Sequence, residues 1–80
     1  MIKHDKAIQL IAEKESSYKT QRAFAADCGI DPSHVNLIKK KKTLPNLKML
    51  EVCGLVLVKS VKYYDEKCKI IKSDHYFRRV

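Results

Sequence analysis

Asn36 carries the side chain in this sequence best suited to recognition, because one primary amide can donate to and accept from the same adenine edge in a duplex major groove. Three residues earlier stands Ser33, whose hydroxyl can bond a base or a phosphate, and His34 lies between the two. Pro32 and Leu37 belong to the same short stretch, and Lys39, Lys40, Lys41 and Lys42 follow it. Cations there suit both phosphate contact and the C-terminal end of a helix. Upstream, Thr20, Gln21 and Arg22 offer a hydroxyl, an amide and a guanidinium. Taken singly, any of these side chains could be an ordinary solvated one. As a group, polar side chains beside a cationic run suit a polyanion such as DNA, RNA or an anionic membrane surface.

Other chemistry has less to stand on. Cys28, Cys53 and Cys68 are odd in number and lack paired C-x-x-C spacing, which points to reduced thiols and to neither a disulfide framework nor a zinc site. Cys28 and Cys53 fall at apolar helical positions, as small buried hydrophobes do. His4, His34 and His75 are scattered. The aspartates and glutamates form no recognisable acid–base pair, and no glycine-rich phosphate loop occurs. The expectation is therefore a protein without catalytic residues, metal, cofactor or small-molecule ligand.

The sequence has 80 residues, of which 45% are hydrophobic, two are glycine and two are proline, a composition for one folded, helix-rich domain with a modest core. Seventeen lysines and arginines against nine acidic residues leave a net charge of +8, which favours anionic partners without naming one. No apolar run approaches membrane-spanning length, so a cytoplasmic, nucleoid-associated protein with no membrane partner is expected.

The elements that would hold these residues can be read from caps and periodicity. Ile8, Ile11 and Ala12 mark a first helix, with Asp5 available as N-cap and Ser16-Ser17 at its close. Thr20 can cap a second short helix that Gly29 stops in a left-handed conformation. Asp31-Pro32 starts a third, with Val35 and Ile38 facing Phe24 and Ala25 and with Ser33, Asn36, Leu37 and Lys40 turned outward. Pro45-Asn46 starts a fourth, which carries Leu47, Leu50 and Cys53 and stops at Gly54. Residues 1–54 thus form a four-helix core in which the second and third helices are joined by a tight turn.

The stretch TQRAFAADCGIDPSHVNLIKKKKTLPNLKML, about half the chain, resembles the helix-turn-helix of phage Cro proteins and repressors. The likeness rests on Gln21, Ala25, Gly29, Ile30, Ser33, Val35 and Pro45-Asn46-Leu47. Many members carry an acidic residue and then a glycine after the recognition helix, where this chain has Lys39 and Lys41. The resemblance implies a dimer on a pseudo-palindromic operator, Gln21 near a phosphate, and residues around Pro32, Ser33, Asn36 and Leu37 facing base edges. The CII-type activators are similar in the same region, so repression and activation stay open.

After Gly54 two readings compete. Leu57, Val61, Tyr64, Cys68 and Ile71 repeat at intervals of four and three, a coiled-coil-type helix stripe. Val56, Val58 and the run Val61-Lys62-Tyr63-Tyr64 instead suit a β-hairpin turning near Asp65-Glu66, but without the Asn-Gly or Asp-Gly of a tight turn. Helix is favoured, giving a mainly α fold of four to five helices in which residues 55–80 form a dimerisation segment and basic tail. The tail from Ser73 to Val80 is expected to fray. The leading functional expectation is a sequence-specific, Cro-like DNA-binding regulator acting as a homodimer. The alternatives are an antitoxin-like protein-interaction module and a non-specific binder working through its lysines alone.

Overall fold

In the computed structural model, which describes residues 1–80, the chain folds as β1 (Ile2–Lys3), α1 (His4–Ser16), α2 (Gln21–Cys28), α3 (Pro32–Lys39), α4 (Leu47–Cys53), β2 (Leu55–Tyr64) and β3 (Ile70–Arg79). Local chemistry sets most of these limits. Thr20 Oγ1 accepts the Ala23 amide at 3.1 Å, satisfying one of the free donors that open α2. Gly29 ends α2 at φ 71°, and Gly54 ends α4 at φ 69°, left-handed conformations that a side chain would strain. Asn46 caps α4 through the Met49 amide at 3.3 Å.

Two expected caps are not made. α1 starts one residue before Asp5, with Lys3 at its N-cap, and Asp5 lies in its first turn. Asp31 holds the N-cap position of α3 but makes no capping hydrogen bond, so Pro32, with no amide proton to satisfy, leads that helix unaided.

The expected mainly α fold is overturned, because residues 55–80 form strands and the domain is α+β. The three strands form an antiparallel sheet in the order β1-β3-β2. Leu57 stands opposite Phe77 and Val61 opposite Asp74. Since side chains alternate along β3, Leu57 and Val61 lie on opposite faces, Cys68 sits in the turn and Ile71 is on the other strand. The supposed helix stripe is thus dispersed. It was never amphipathic, because Val56, Val58, Tyr63 and Ile70 between its members are just as apolar and suit extended backbone.

Asp65 supplies the turn that no Asn-Gly marks. Its Oδ1 accepts the amides of Lys67 and Lys69, each at 2.9 Å, and Cys68 completes the reversal at φ 61°. The tail does not fray either. Phe77 on β3 is fully buried and pairs with Ile2 on β1, which ties the C-terminal strand to the N-terminus.

The core joins all of this. Ala7 and Ile11 of α1, Phe24, Ala25 and Cys28 of α2, Val35 and Ile38 of α3, and Met49 and Leu50 of α4 meet Leu55 and Phe77 from the base of the hairpin. Burying a side chain the size of Phe77 stabilises by roughly 1.5 to 3 kcal/mol relative to exposure. From Lys59 to the tip the hairpin leaves this core, and its residues are exposed or half-buried.

Candidate nucleic-acid interface

The three-residue turn Gly29-Ile30-Asp31 fixes α3 against α2. The amides of Gly29 and Ile30 return to the carbonyls of Ala26 and Ala25 at 3.1 and 3.0 Å, using acceptors that the end of α2 leaves free. Across the turn, Val35 and Ile38 of α3 are fully buried in the same cluster as Phe24 and Ala25. This orients the rest of α3, so that Ser33, Asn36, Leu37 and Lys40 are all exposed on its outer side. Leu37 is 47% exposed, a large apolar side chain within an otherwise polar strip. Pro32 and His34 are half-buried at the start of the helix.

Asn36 is held in place. Gln21 Nε2 donates to Asn36 Oδ1 at 2.9 Å and to Glu15 Oε2 at 3.0 Å, while Lys39 Nζ donates to Glu15 Oε1 at 2.7 Å. One network therefore links α1, α2 and the last turn of α3. Asn36 keeps its own Nδ2 hydrogens and a second lone pair on Oδ1 for a ligand. Burial pushes the Glu15 carboxyl up, but hydrogen bonds from Lys39 and Gln21 together with the Lys39 charge outweigh this and hold it below its usual value. Glu15 was not visible as a site residue in the sequence, since it stands 24 positions from Lys39 and no local pattern connects them.

The lysine run is divided by its ion pairs. Lys39 is engaged by Glu15, and Lys41 by Asp5, whose carboxyl that hydrogen bond and charge hold low. Lys40 and Lys42 are exposed and have no such partner. Lys41 takes φ 61°, a left-handed conformation, at the position where the resemblance leads one to expect glycine. Thr20 spends its hydroxyl as a helix cap, whereas Arg22 is exposed beside Gln21.

No protein-family model, curated protein or solved structure matches the chain.

Burial pushes the Cys53 thiol up to about 11 and also raises that of Cys28, both away from thiolate. No group of three or more His, Cys, Asp or Glu side chains is arranged to hold a metal, and no helix is long and apolar enough to cross a membrane. The largest cleft, about 440 Å³, lies between α1 and the base of the hairpin around Leu10, Lys14, Cys53 and Val80, and includes no residue of α3. Of the residues expected to form a dimer contact, Leu57, Tyr64, Cys68 and Ile71 are exposed and Val61 is half-buried, but they share no single face.

Proposed function

We propose that this chain is a sequence-specific regulator of transcription that lays α3 in the major groove of double-stranded DNA, with two copies reading the halves of an inverted repeat. The observation that carries this reading is the Gln21–Asn36 hydrogen bond, which holds a base-reading amide on the exposed side of a helix whose other side is locked in the core. A bidentate Asn–adenine contact discriminates by roughly 1 to 3 kcal/mol, and Leu37 beside it offers an apolar surface for a thymine methyl. Lys40, Lys42 and Arg22 flank this strip with free positive charge for phosphates. By its resemblance to Cro proteins, shared with the CII-type activators, the chain acts by occupying an operator inside the cell, as a phage or prophage regulator.

Selection of bound duplexes from a random pool tests this. The expected result is an enriched inverted repeat, with one base preference per half-site lost on Asn36→Ala. No enrichment, or uniform weakening without a change of preference, overturns direct readout.

A second reading, a protein-interaction module, draws on the exposed Tyr64, Ile70 and Ile71 near the hairpin tip. It would leave the selection without enrichment.

A further inference from the structure

His4 stands where three elements meet. It is the first residue of α1 and follows directly on β1, a strand of two residues that holds to β3 by the pairs Ile2–Phe77 and Lys3–Tyr76. Its ring packs edge-on against His75 with centroids 5.2 Å apart, and lies 6.0 Å from the ring of the buried Phe77. His75 is fixed in turn, since its Nδ1 and Ser60 Oγ of β2 share a hydrogen bond of 2.7 Å. The seam between β1 and the hairpin is thus closed by an imidazole, a group that gains its charge close to neutral pH.

The surroundings suit the neutral ring. His4 Nε2 is shut off from solvent, and no hydrogen-bonding group of the chain reaches it. A neutral imidazole can leave that nitrogen as a bare lone pair, whereas the imidazolium makes it an N–H donor, buried and unpaired. Nearby charge adds to this. Lys3 of β1 and Lys41 of the loop after α3 border, with His4, a cleft of about 120 Å³ whose other wall carries Asp74 and His75 of β3. Asp5, the carboxylate next to His4, is already engaged by Lys41. The opening of a helix disfavours a cation as well. Burial above all, then the charges of His75 and Lys41, hold the His4 ring below its usual value, and Asp5 offsets them only in part.

We propose that His4 is a proton-operated latch: its neutral ring keeps β1 and the first turn of α1 on β3, and its protonated ring swings out and releases them while the helical core stays folded. Release gives up two residue pairs and the half-buried Ile2, whereas Ala7 and Ile11 further along α1 remain in the core. Opening is local for that reason. Its direction with pH follows from the closed site's poor affinity for a proton. The released segment takes the proton first, so the latch holds fully above the ordinary histidine value of about 6.5 and weakens as the pH falls below it. The open population then grows by at most about tenfold per pH unit. This window lies above the carboxylate range in which Glu15 acts. Because Asp5 adjoins His4 and holds Lys41, release also reaches the loop after α3.

The latch does not depend on what α3 binds, and it is tested on the full chain without DNA, so a failed duplex selection leaves it standing. Backbone nitrogen-15 relaxation and the ring-proton signals of His4 are followed by NMR as the pH is lowered through the ordinary histidine value. In the wild type, Ile2 and Lys3 should lose order while Phe24, Val35 and Ile38 keep theirs, and His4 should titrate below its usual value. His4→Phe keeps a ring but takes no proton, and should hold β1 throughout. Lys41→Gln removes a charge that faces His4 and leaves Asp5 unpaired, so release should move to lower pH. If His4→Phe disturbs the fold, the titration of His4 and the Lys41→Gln shift decide the matter. The proposal is overturned by a β1 that stays ordered below the histidine range, by a His4 that titrates at or above its usual value, or by β1 and the core melting together. An unchanged release profile in His4→Phe, or a midpoint in Lys41→Gln that stays put or rises, overturns it equally.

Discussion

Gln21 and Asn36, fifteen residues apart, are joined at 2.9 Å by a hydrogen bond that spends one Nε2 hydrogen of Gln21 on the side-chain oxygen of Asn36. The other Nε2 hydrogen goes to Glu15. The glutamine thus orients its neighbour before any ligand arrives, which lowers the ordering cost of a contact made by Asn36.

The two residues should therefore fail differently. Asn36→Ala removes the reader and should relax preference at one base pair per half-site by roughly 1 to 3 kcal/mol, with little effect on folding because the side chain is exposed. Gln21→Ala leaves the reader free to rotate, so affinity should fall while the preferred base stays the same. Competition binding against single-base operator variants separates these outcomes. A change of preferred base in Gln21→Ala would mean that Gln21 itself reads the DNA.

Glu15 makes stability depend on pH. Its carboxyl is held below its usual value in the folded chain, so the unfolded chain takes up a proton first as the pH falls. The contribution is complete above the ordinary glutamate range and is lost as the pH drops through the lower, folded value. Thermal melts across the acid range should show a falling Tm, and Glu15→Gln should flatten that limb. Equal acid limbs in the two proteins would remove Glu15 as its source.

The caps predict a contrast that a sequence cannot supply. Asn46 does two things at once, accepting the Met49 amide and donating to the Cys28 carbonyl at 2.9 Å, so it fastens the end of α2 to the start of α4. Asn46→Ala should cost about 1 to 3 kcal/mol in urea unfolding, a lost cap plus an acceptor left partly buried. Asp31→Ala, at an equally plausible cap position, should cost under about 0.5 kcal/mol because no capping bond is present. Equal losses would contradict this assignment.

The same contrast explains what could be read in advance. Thr20, Gly29, Pro32, Asn46 and Gly54 act on backbone within a turn of themselves, and the four helices and the orientation of α3 follow from such local signals. The hairpin does not. Its strands are held by Phe77 reaching a core built 20 and more residues upstream and by Asp65 organising its own turn, while a spacing of three and four residues imitated a helix. Asp65 at the head of the turn was the available sign. At the interface, Asn36 and the lysines were legible as residue types, but Glu15 and Asp5, which decide which lysines are free, were not.

Lys40 and Lys42 carry the last prediction. Each phosphate neutralised by a free lysine releases counterions, so affinity falls with salt at a slope of about 0.9 per contact. Lys40→Gln and Lys42→Gln should each reduce that slope by about 1 and weaken binding alike for all sequences. Lys39 and Lys41 begin paired with Glu15 and Asp5, so their replacement strands a carboxylate near the binding surface in addition to removing a cation. Lys39→Gln should also release Gln21 and Asn36 through Glu15, and so alter base preference as well as overall strength. Salt titrations on matched and scrambled operators distinguish the two classes. Four identical slopes with unchanged preference would mean that the lysines act as one undivided charge.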